Sequence, residues 1–256
     1  MTRSNSCRSW LLRFASWMLL LPLLAAASAR SAPPGLTVDA TDAIHLAGRD
    51  DVTIPAIGGN LAGFPLDRPD AALGQVLETR PTAVDVTPGE MLSFLASGDA
   101  IFSPSDLPSG ADGDVAKDVL AVGGIAGYVG PGGSLVGVFL DDAIPLASPP
   151  ASLDFSALGI GTSFAALSPE PGQVFFIGDG QRGNGVGARQ AFDVPAGVTR
   201  LFLGTLDGAV PQYAPGYYVD NAGSFQVQVL PEPAGSAAAL AAFSFLALLA
   251  RARRAV

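Results

Sequence analysis

Residues 199–229 read TRLFLGTLDGAVPQYAPGYYVDNAGSFQVQV. Side chains alternate along a first strand that runs to Asp207, and they alternate again through Ser224–Val229. A loop rich in Gly, Pro and Tyr separates the two strands, and Asp220 and Asn221 stand just before the second one. Alternation with a period of two is typical of strands that bury one face. The segment therefore predicts two strands, with acidic and amide side chains where each strand meets the loop.

The rest of the chain has the same character. It contains 31 Gly and 21 Pro, which separate short apolar runs, and no helical period precedes the C-terminal tail. This pattern predicts an all-β sandwich or barrel. The further predicted strands are Leu36–Val38, Ala43–Leu46, Ala83–Val86, Met91–Ala96, Ser134–Leu140, Gln173–Ile177 and Ala191–Val194, and the first strand of the opening segment is Thr199–Thr205.

Two stretches fit this pattern poorly. A helical insertion is predicted over Ala116–Ala126, although Gly123 and Gly124 weaken it. Ala47–Arg80 has little periodicity, and it is interpreted as a long loop or an extra hairpin. The predicted organisation is a signal peptide (1–29), an N-terminal extension with strands (30–81), a β-domain (82–230) and a C-terminal sorting segment (231–256).

The N-terminus has the features of a secretory signal. Residues 1–13 carry three arginines and no acid, an apolar core follows, and Ala27-Ser28-Ala29 offers a signal peptidase site. The alternative is a retained anchor helix. Cys7, the only cysteine, lies in the segment to be removed, so cleavage leaves a protein without a disulfide.

The C-terminus combines three ordered features. Pro231-Glu232-Pro233 precedes Ala234–Ala250, which is long enough to cross a membrane as a helix. A basic end follows, which favours a cytoplasmic C-terminus; it contains Arg251, Arg253 and Arg254.

This arrangement closely resembles the PEP-CTERM sorting signal of Gram-negative bacteria. The resemblance implies a transient helix in the inner membrane and removal of the tail by an exosortase. The protein is then released or attached at the cell surface. The alternative is a plain single-pass tail anchor.

The body between these signals is strongly acidic. Six arginines of the two ends lie outside it, so its net charge changes from the −9 of the whole chain to −15. Such a charge disfavours nucleic acids and anionic lipids as partners and leaves divalent cations and neutral polymers. Lys117 is the only lysine, which leaves little for Schiff-base or phosphate chemistry.

Three side chains suggest a cation site. Hard cations take six to eight oxygen ligands from carboxylates, amides and main-chain carbonyls. Asp207, Asp220 and Asn221 can supply such oxygens. The alternative interpretation is that they are ordinary turn residues.

The same residues carry a resemblance to a family. PGYYVDNAGSFQVQV is similar to the end of the calcium-dependent, galactose-binding bacterial lectins of the PA-IL type. Thr82–Pro104 matches that family's strand, Pro-Gly-acid turn and strand, and Gly133–Val136 matches a further strand. The resemblance spans Thr82–Val229 with insertions. It implies an antiparallel β-sandwich of the jelly-roll, galactose-binding-like type.

The resemblance also implies a calcium site. Its side-chain ligands would be Asp207, Asp220 and Asn221, and its carbonyl ligands would come from Phe102 and Tyr217. The sequence departs from the family in two ways. The loop Gly208–Ala214 is longer, which bears on whether Asp207 closes the calcium site, and Ser109–Asp118 lacks the sugar-contacting His, so calcium binding transfers better than galactose specificity.

In the expected mode of binding, two sugar hydroxyls replace calcium-bound waters and contact Asp207, Asp220 and Asn221. Tyr213, Tyr217 or Tyr218 would stack on the C–H face of the sugar.

Two other stretches are weaker candidates for a functional site. The glycine-rich Phe175–Gly187 lacks the residues of a phosphate-binding loop, and it is interpreted as a hairpin loop or as the carrier of an accessory calcium ligand, Asp179. His45, the only histidine, is interpreted as a strand residue.

The sequence thus favours an exported, noncatalytic, calcium-dependent module that binds extracellular polysaccharide or glycan. One alternative is a structural or biofilm-matrix protein with a purely structural calcium. The other is a secreted hydrolase, for which there is no constellation of nucleophile and base.

Overall fold

A computed structural model describes residues 35–53, 78–103, 107–183, 185–208, 216 and 218–232. In these ranges the chain forms strands and two single-turn 3₁₀ helices, so the predicted all-β class is confirmed. The strands are β1 (Leu36–Asp39), β2 (Thr82–Asp85), β3 (Met91–Ser97), β4 (Asp99–Ile101), β5 (Ser109–Gly110), β6 (Ala116–Val119), β7 (Tyr128–Pro131), β8 (Leu135–Leu140), β9 (Leu153–Asp154), β10 (Ala166–Leu167), β11 (Val174–Phe176), β12 (Ala191–Asp193), β13 (Arg200–Thr205) and β14 (Ala222–Pro231).

The largest sheet is built around the last strand. Its order is β10-β12-β3-β14-β4-β5, and β1 also pairs with β14. β14 buries Phe225 and Val227 while Gln226 faces outward, which is the alternation that the sequence displays. All pairs in this sheet are antiparallel except β10 with β12. Because β1 is part of the sheet, the N-terminal extension contributes directly to the domain.

A second sheet has the order β11-β8-β13-β2 and is antiparallel throughout. Every residue of β8 is buried, which explains why Leu135–Leu140 is a continuous apolar run and not an alternating one. A third sheet, β6-β7-β9, completes the described strands.

Aromatic rings connect the two larger sheets in one hydrophobic core. Phe94 and Phe192 of the first sheet contact each other with centroids 5.0 Å apart, and Phe192 lies 5.3 Å from Phe175 of the second. Phe175 stacks on Phe139 at 5.0 Å. Each ring is fully buried, and burial of one such side chain contributes about 1.5–3 kcal/mol. This core positions the loops at the ends of β13 and β14.

The predicted strands match the observed ones within one or two residues, with one exception. Ala43–Leu46 is not a strand, because Ile44–Leu46 forms a 3₁₀ turn in which Leu46 N–H donates to Ala43 O and Ala47 N–H donates to Ile44 O. His45 consequently lies in a buried turn and not in a strand.

The predicted helix over Ala116–Ala126 is also wrong. Its first half is β6, which pairs with β7, and its second half is a tight turn closed by a bridge between Val122 and Ile125. Gly123, at a φ of 58°, occupies this turn. The pairing with β7 overrides the weak helical preference of the segment.

The two predicted export signals lie outside the described residues, apart from Pro231 and Glu232. Within the described part of the chain, no helix has the length and apolar character needed to cross a bilayer. Pro231 ends β14 opposite Leu92. Glu232 continues this contact, because its N–H donates to Met91 O at 2.8 Å and its carboxylate accepts from Ser93 Oγ at 2.6 Å.

Candidate functional site

The site forms where β13 ends beside the turn that precedes β14. Asp207 follows β13 by two residues, and the 3₁₀ turn Tyr218–Asp220 leads into β14. The buried Tyr218 hydroxyl donates to Thr205 O at 3.0 Å and accepts from Asp207 N at 3.2 Å. This tyrosine therefore holds the turn carrying Asp220 against the strand end carrying Asp207.

Asn221 is fixed from the other side. Its Nδ2 donates to Ala40 O at 3.0 Å, and the Thr205 hydroxyl donates to the same carbonyl at 2.8 Å. Among the described residues, nothing donates to Asn221 Oδ1, although the residue is only 8% exposed. A buried amide oxygen without a donor is costly unless a ligand or water completes it.

The Asp207 carboxylate is almost completely buried, with 2% of the residue exposed. Its Oδ1 accepts from Gly208 N at 2.6 Å, whereas Oδ2 accepts no hydrogen bond from the described part of the chain. Burial raises the pKa of Asp207 to about 7, and the charge of Asp220 acts in the same direction. The nearby Lys117, Gly208 and Asn221 oppose this rise. The site thus holds a carboxylate whose negative charge is poorly compensated.

Asp207, Asp220 and Phe102 line one cavity of about 370 Å³. Three of the predicted ligand residues therefore come together. The Phe102 ring packs on Gly133, where a Cβ would collide with it and where φ is 67°. The remaining lining residues are Ser103, Leu107, Ser109, Asp114, Val115, Lys117, Gly132, Gly133 and Gly208.

Lys117 is a member of the site that was not predicted from the sequence. Its Nζ donates to Gly208 O at 2.8 Å and lies 3.7 Å from Asp207 Oδ1. Its position depends on the pairing of β6 with β7, which the sequence pattern does not reveal. The one available signal was that the chain contains a single lysine.

The donor set fits a hard cation in kind. It consists of the Asp207 and Asp220 carboxylates, with main-chain carbonyls of other lining residues close by, and calcium prefers such oxygens. Asn221, the third predicted side-chain ligand, is not among the residues that line the cavity. Across the described residues, there is no group of three or more His, Cys, Asp or Glu able to hold a metal. A metal here would therefore need oxygens other than the two carboxylates, such as main-chain carbonyls.

The remaining predicted roles are those of three tyrosines in sugar stacking and of Asp179 as an accessory calcium ligand. Tyr218 is fully buried, so its ring cannot stack on a sugar, and that prediction is corrected. Tyr213 and Tyr217 lie outside the described residues. Asp179 is not among the residues that line the cavity; its N–H donates to Asp112 Oδ1 at 3.0 Å, and its own Oδ1 accepts from Gln181 N at 2.7 Å.

Leu107 and Val115 are exposed apolar residues beside the cavity, 87% and 69% exposed respectively. Side chains of this kind cover apolar ligand surface in binding sites. The sequence pattern did not indicate them, because neither belongs to a periodic segment.

No protein-family model matches this sequence. No curated protein matches it either. The function must therefore be inferred from the geometry of the site.

Proposed function

We propose that the protein is a calcium-dependent carbohydrate-binding module of an exported protein, with a β-sandwich fold of the jelly-roll type and no catalytic activity. The observation that carries this proposal is the cavity shared by Asp207, Asp220 and Phe102, with a buried Asp207 oxygen that no described residue satisfies. The resemblance of Thr82–Val229 to calcium-dependent lectins supports the same conclusion.

Calcium would be held by the carboxylates of Asp207 and Asp220 and by the Asn221 amide oxygen. Two buried or half-buried acids in one cavity repel each other, and a divalent cation between them would remove that repulsion. Such a cation would also satisfy Asp207 Oδ2, which accepts no hydrogen bond from the described residues. Phe102 and Gly208 lie close enough to the cavity for their carbonyls to be considered as further ligands.

The sugar would bind at the open side of the cavity. The cavity volume of about 370 Å³ lies within the range of small-ligand sites. Two hydroxyls would coordinate calcium, and Leu107 and Val115 would cover the C–H face instead of the buried Tyr218. Contact with an apolar C–H face is the usual complement to polar recognition of a sugar.

A structural calcium in a matrix protein is the second candidate. It is favoured by the way Asn221 and Thr205 both bind Ala40 O, because this joins the end of β13 and the start of β14 to the segment after β1. A cation at this point would stabilise the contact of three chain segments. The two candidates differ only in whether the metal retains open positions for a ligand.

Isothermal titration of the purified chain with calcium, followed by monosaccharides and polysaccharides, tests the proposal. We expect heat with calcium and, only after calcium, with a sugar. Asp220→Asn should weaken calcium binding at least tenfold, since removal of one charged ligand weakens such sites strongly. Asp85→Asn, at an exposed acid on β2, serves as the matched control and should change nothing.

The outcomes separate the candidates. Calcium heat without any sugar heat would leave the structural metal. Absence of calcium heat in the wild type would contradict both.

Export by the two terminal signals is part of the same proposal. The mature protein should begin near Arg30 and end near Pro233 if signal peptidase and an exosortase process it. Mass spectrometry of the protein recovered from the cell surface and medium measures both ends. Recovery of an intact C-terminal tail would favour the plain tail anchor.

A further inference from the structure

We infer that Lys117 acts as a tethered competitor for the cation site, so that calcium must displace its ammonium group from Asp207 and Gly208. This inference rests on the proposed calcium site. It identifies a residue that sets the affinity and ion selectivity of the site.

The ammonium group contacts two oxygens that a cation would use. Nζ donates to Gly208 O at 2.8 Å and lies 3.7 Å from Asp207 Oδ1. These are a main-chain carbonyl and a carboxylate, the two oxygen types that calcium prefers. Lys117 lines the same cavity as Asp207 and Asp220. The lysine therefore supplies positive charge at the point where the metal would supply it.

The fold directs this lysine into the cavity. Lys117 lies in β6 opposite Gly130 of β7, and its aliphatic stem crosses Gly132, where a Cβ would collide with Lys117 Cγ. A residue other than glycine at position 132 would push the stem away. The conformation of Lys117 thus follows from the pairing of β6 with β7 and from the absence of a side chain at Gly132.

The lysine can nevertheless leave. Its side chain is 27% exposed, whereas that of Asp207 is 3% exposed, so one end of the ion pair is buried and the other borders solvent. The ammonium carries one charge and cannot compensate both Asp207 and Asp220. A divalent ion compensates both, and a monovalent ion has no such advantage over the lysine. The lysine should therefore reject sodium and potassium and lower calcium affinity toward the range of extracellular calcium modules, about 10⁻⁴–10⁻³ M.

Calcium titrations of Lys117 variants test this role. Lys117→Met keeps the length of the stem and removes the charge, so we expect calcium to bind about tenfold or more tightly. Lys117→Arg keeps the charge and should bind no more tightly than the wild type. Arg189→Gln removes one exposed positive charge on the loop before β12 and controls for net charge; its affinity should change by less than about twofold, because solvent and salt screen that charge.

A second measurement uses the fact that Lys117 is the only lysine in the chain. In protein labelled with ¹⁵N-lysine, the Nζ resonance reports directly on this ammonium group. We expect it to shift on addition of calcium and not of sodium. The rate of acetylation of Lys117, followed by mass spectrometry, should rise with calcium as the group moves into solvent. Both measurements remain informative if Lys117→Met fails to fold.

Failure of this inference can be distinguished from failure of the proposed function. If the wild type and Lys117→Met both fail to bind calcium, the calcium site itself is contradicted. If both bind calcium with equal affinity, or if calcium binds without changing the Nζ resonance, the site stands and the competitor role of Lys117 is overturned.

Discussion

Asp42 and Asp207 are both buried aspartates, and burial is the largest cause that raises the pKa of each. They differ in what surrounds the carboxylate. Asp42 Oδ1 accepts from Thr79 Oγ1 at 2.7 Å, and its Oδ2 accepts from Asp39 N at 3.1 Å and from Thr82 Oγ1 at 3.2 Å. Both of its oxygens are therefore satisfied by the protein.

Asp207 has one short hydrogen bond, from Gly208 N, and an ion pair of 3.7 Å with Lys117. Its second oxygen is buried and accepts nothing from the described residues, and Asp207 is one of the residues that line the cavity. The comparison shows that burial of an acid does not identify a binding site. Unsatisfied oxygens beside a cavity are the more informative feature.

The largest effect is expected at Asp42. Asp42→Ala should lower the free energy of unfolding by about 3 kcal/mol, because the buried carboxylate loses three hydrogen bonds that contribute about 1 kcal/mol each. Urea denaturation with and without calcium measures this, and the loss should be the same in both. Asp85→Ala, at an exposed acid, should change the free energy of unfolding little. Rescue of Asp42→Ala by calcium would contradict the distinction between the two sites.

A smaller effect is expected from the charge of Asp207. Its pKa of about 7 in the folded protein exceeds the unfolded value of 3.8, so the folded state binds the extra proton between these values. This contribution to stability is fully present below about pH 4 and is lost as the pH rises to 7. Without calcium, Asp207→Asn should be more stable than the wild type at pH 8 by about 2 kcal/mol, which is less than the full rise in pKa would give, because the amide loses the ion pair with Lys117.

The same titration should oppose calcium binding. Calcium requires the charged carboxylate, so its affinity for the wild type should increase as the pH rises through 7. Denaturation curves across pH, measured with and without calcium, check both trends. A wild-type stability that rises between pH 4 and 7 in the absence of calcium, relative to Asp207→Asn, would show that this carboxylate is not buried as described.

The smallest effect compares two fully buried tyrosines. Tyr218→Phe removes the hydroxyl that joins Thr205 O to Asp207 N, and Tyr128→Phe removes one that contacts Ser134 Oγ at 3.2 Å. Each should lower the free energy of unfolding by about 1 kcal/mol. Only Tyr218→Phe should also weaken calcium binding, by about threefold to tenfold, because it loosens Asp207 relative to Asp220. Equal calcium affinities for the two variants would show that Tyr218 does not position the calcium ligands.

The sequence predicted the long strands well. The alternation in Ser224–Val229 and the buried run in Ser134–Leu140 are local properties, and β14 and β8 follow them. Ala43–Leu46 failed because all of its residues are buried, and a buried turn and a buried strand have the same apolar composition. The two-residue strands β9 and β10 depend on pairing with β7 and β12, which are well separated from them in sequence, and they leave no local pattern. β5 pairs with the neighbouring β4, but two residues are too few to show an alternation.

The site divides in the same way. The sequence predicted Asp207, Asp220 and Asn221 as ligands because they stand where strands meet a loop, and the structure places Asp207 and Asp220 at one cavity. Lys117 could not, because its approach to Gly208 depends on the pairing of β6 with β7 and on the bare backbone of Gly132. Tyr218 was assigned to the sugar because the sequence does not reveal that its side chain is buried in the core.

The hydrogen bonds of Glu232 to Met91 and Ser93 have a mechanical consequence. The chain is hydrogen-bonded to the sheet as far as Glu232, and the apolar stretch begins in the sequence at Ala234. If that stretch enters the membrane as the sequence predicts, only Pro233 lies in the sequence between the last hydrogen-bonded residue of the domain and the membrane segment. A processing enzyme would then act at the edge of a folded domain. To cut upstream of Glu232, it would first have to break the pairing of β14 with β3.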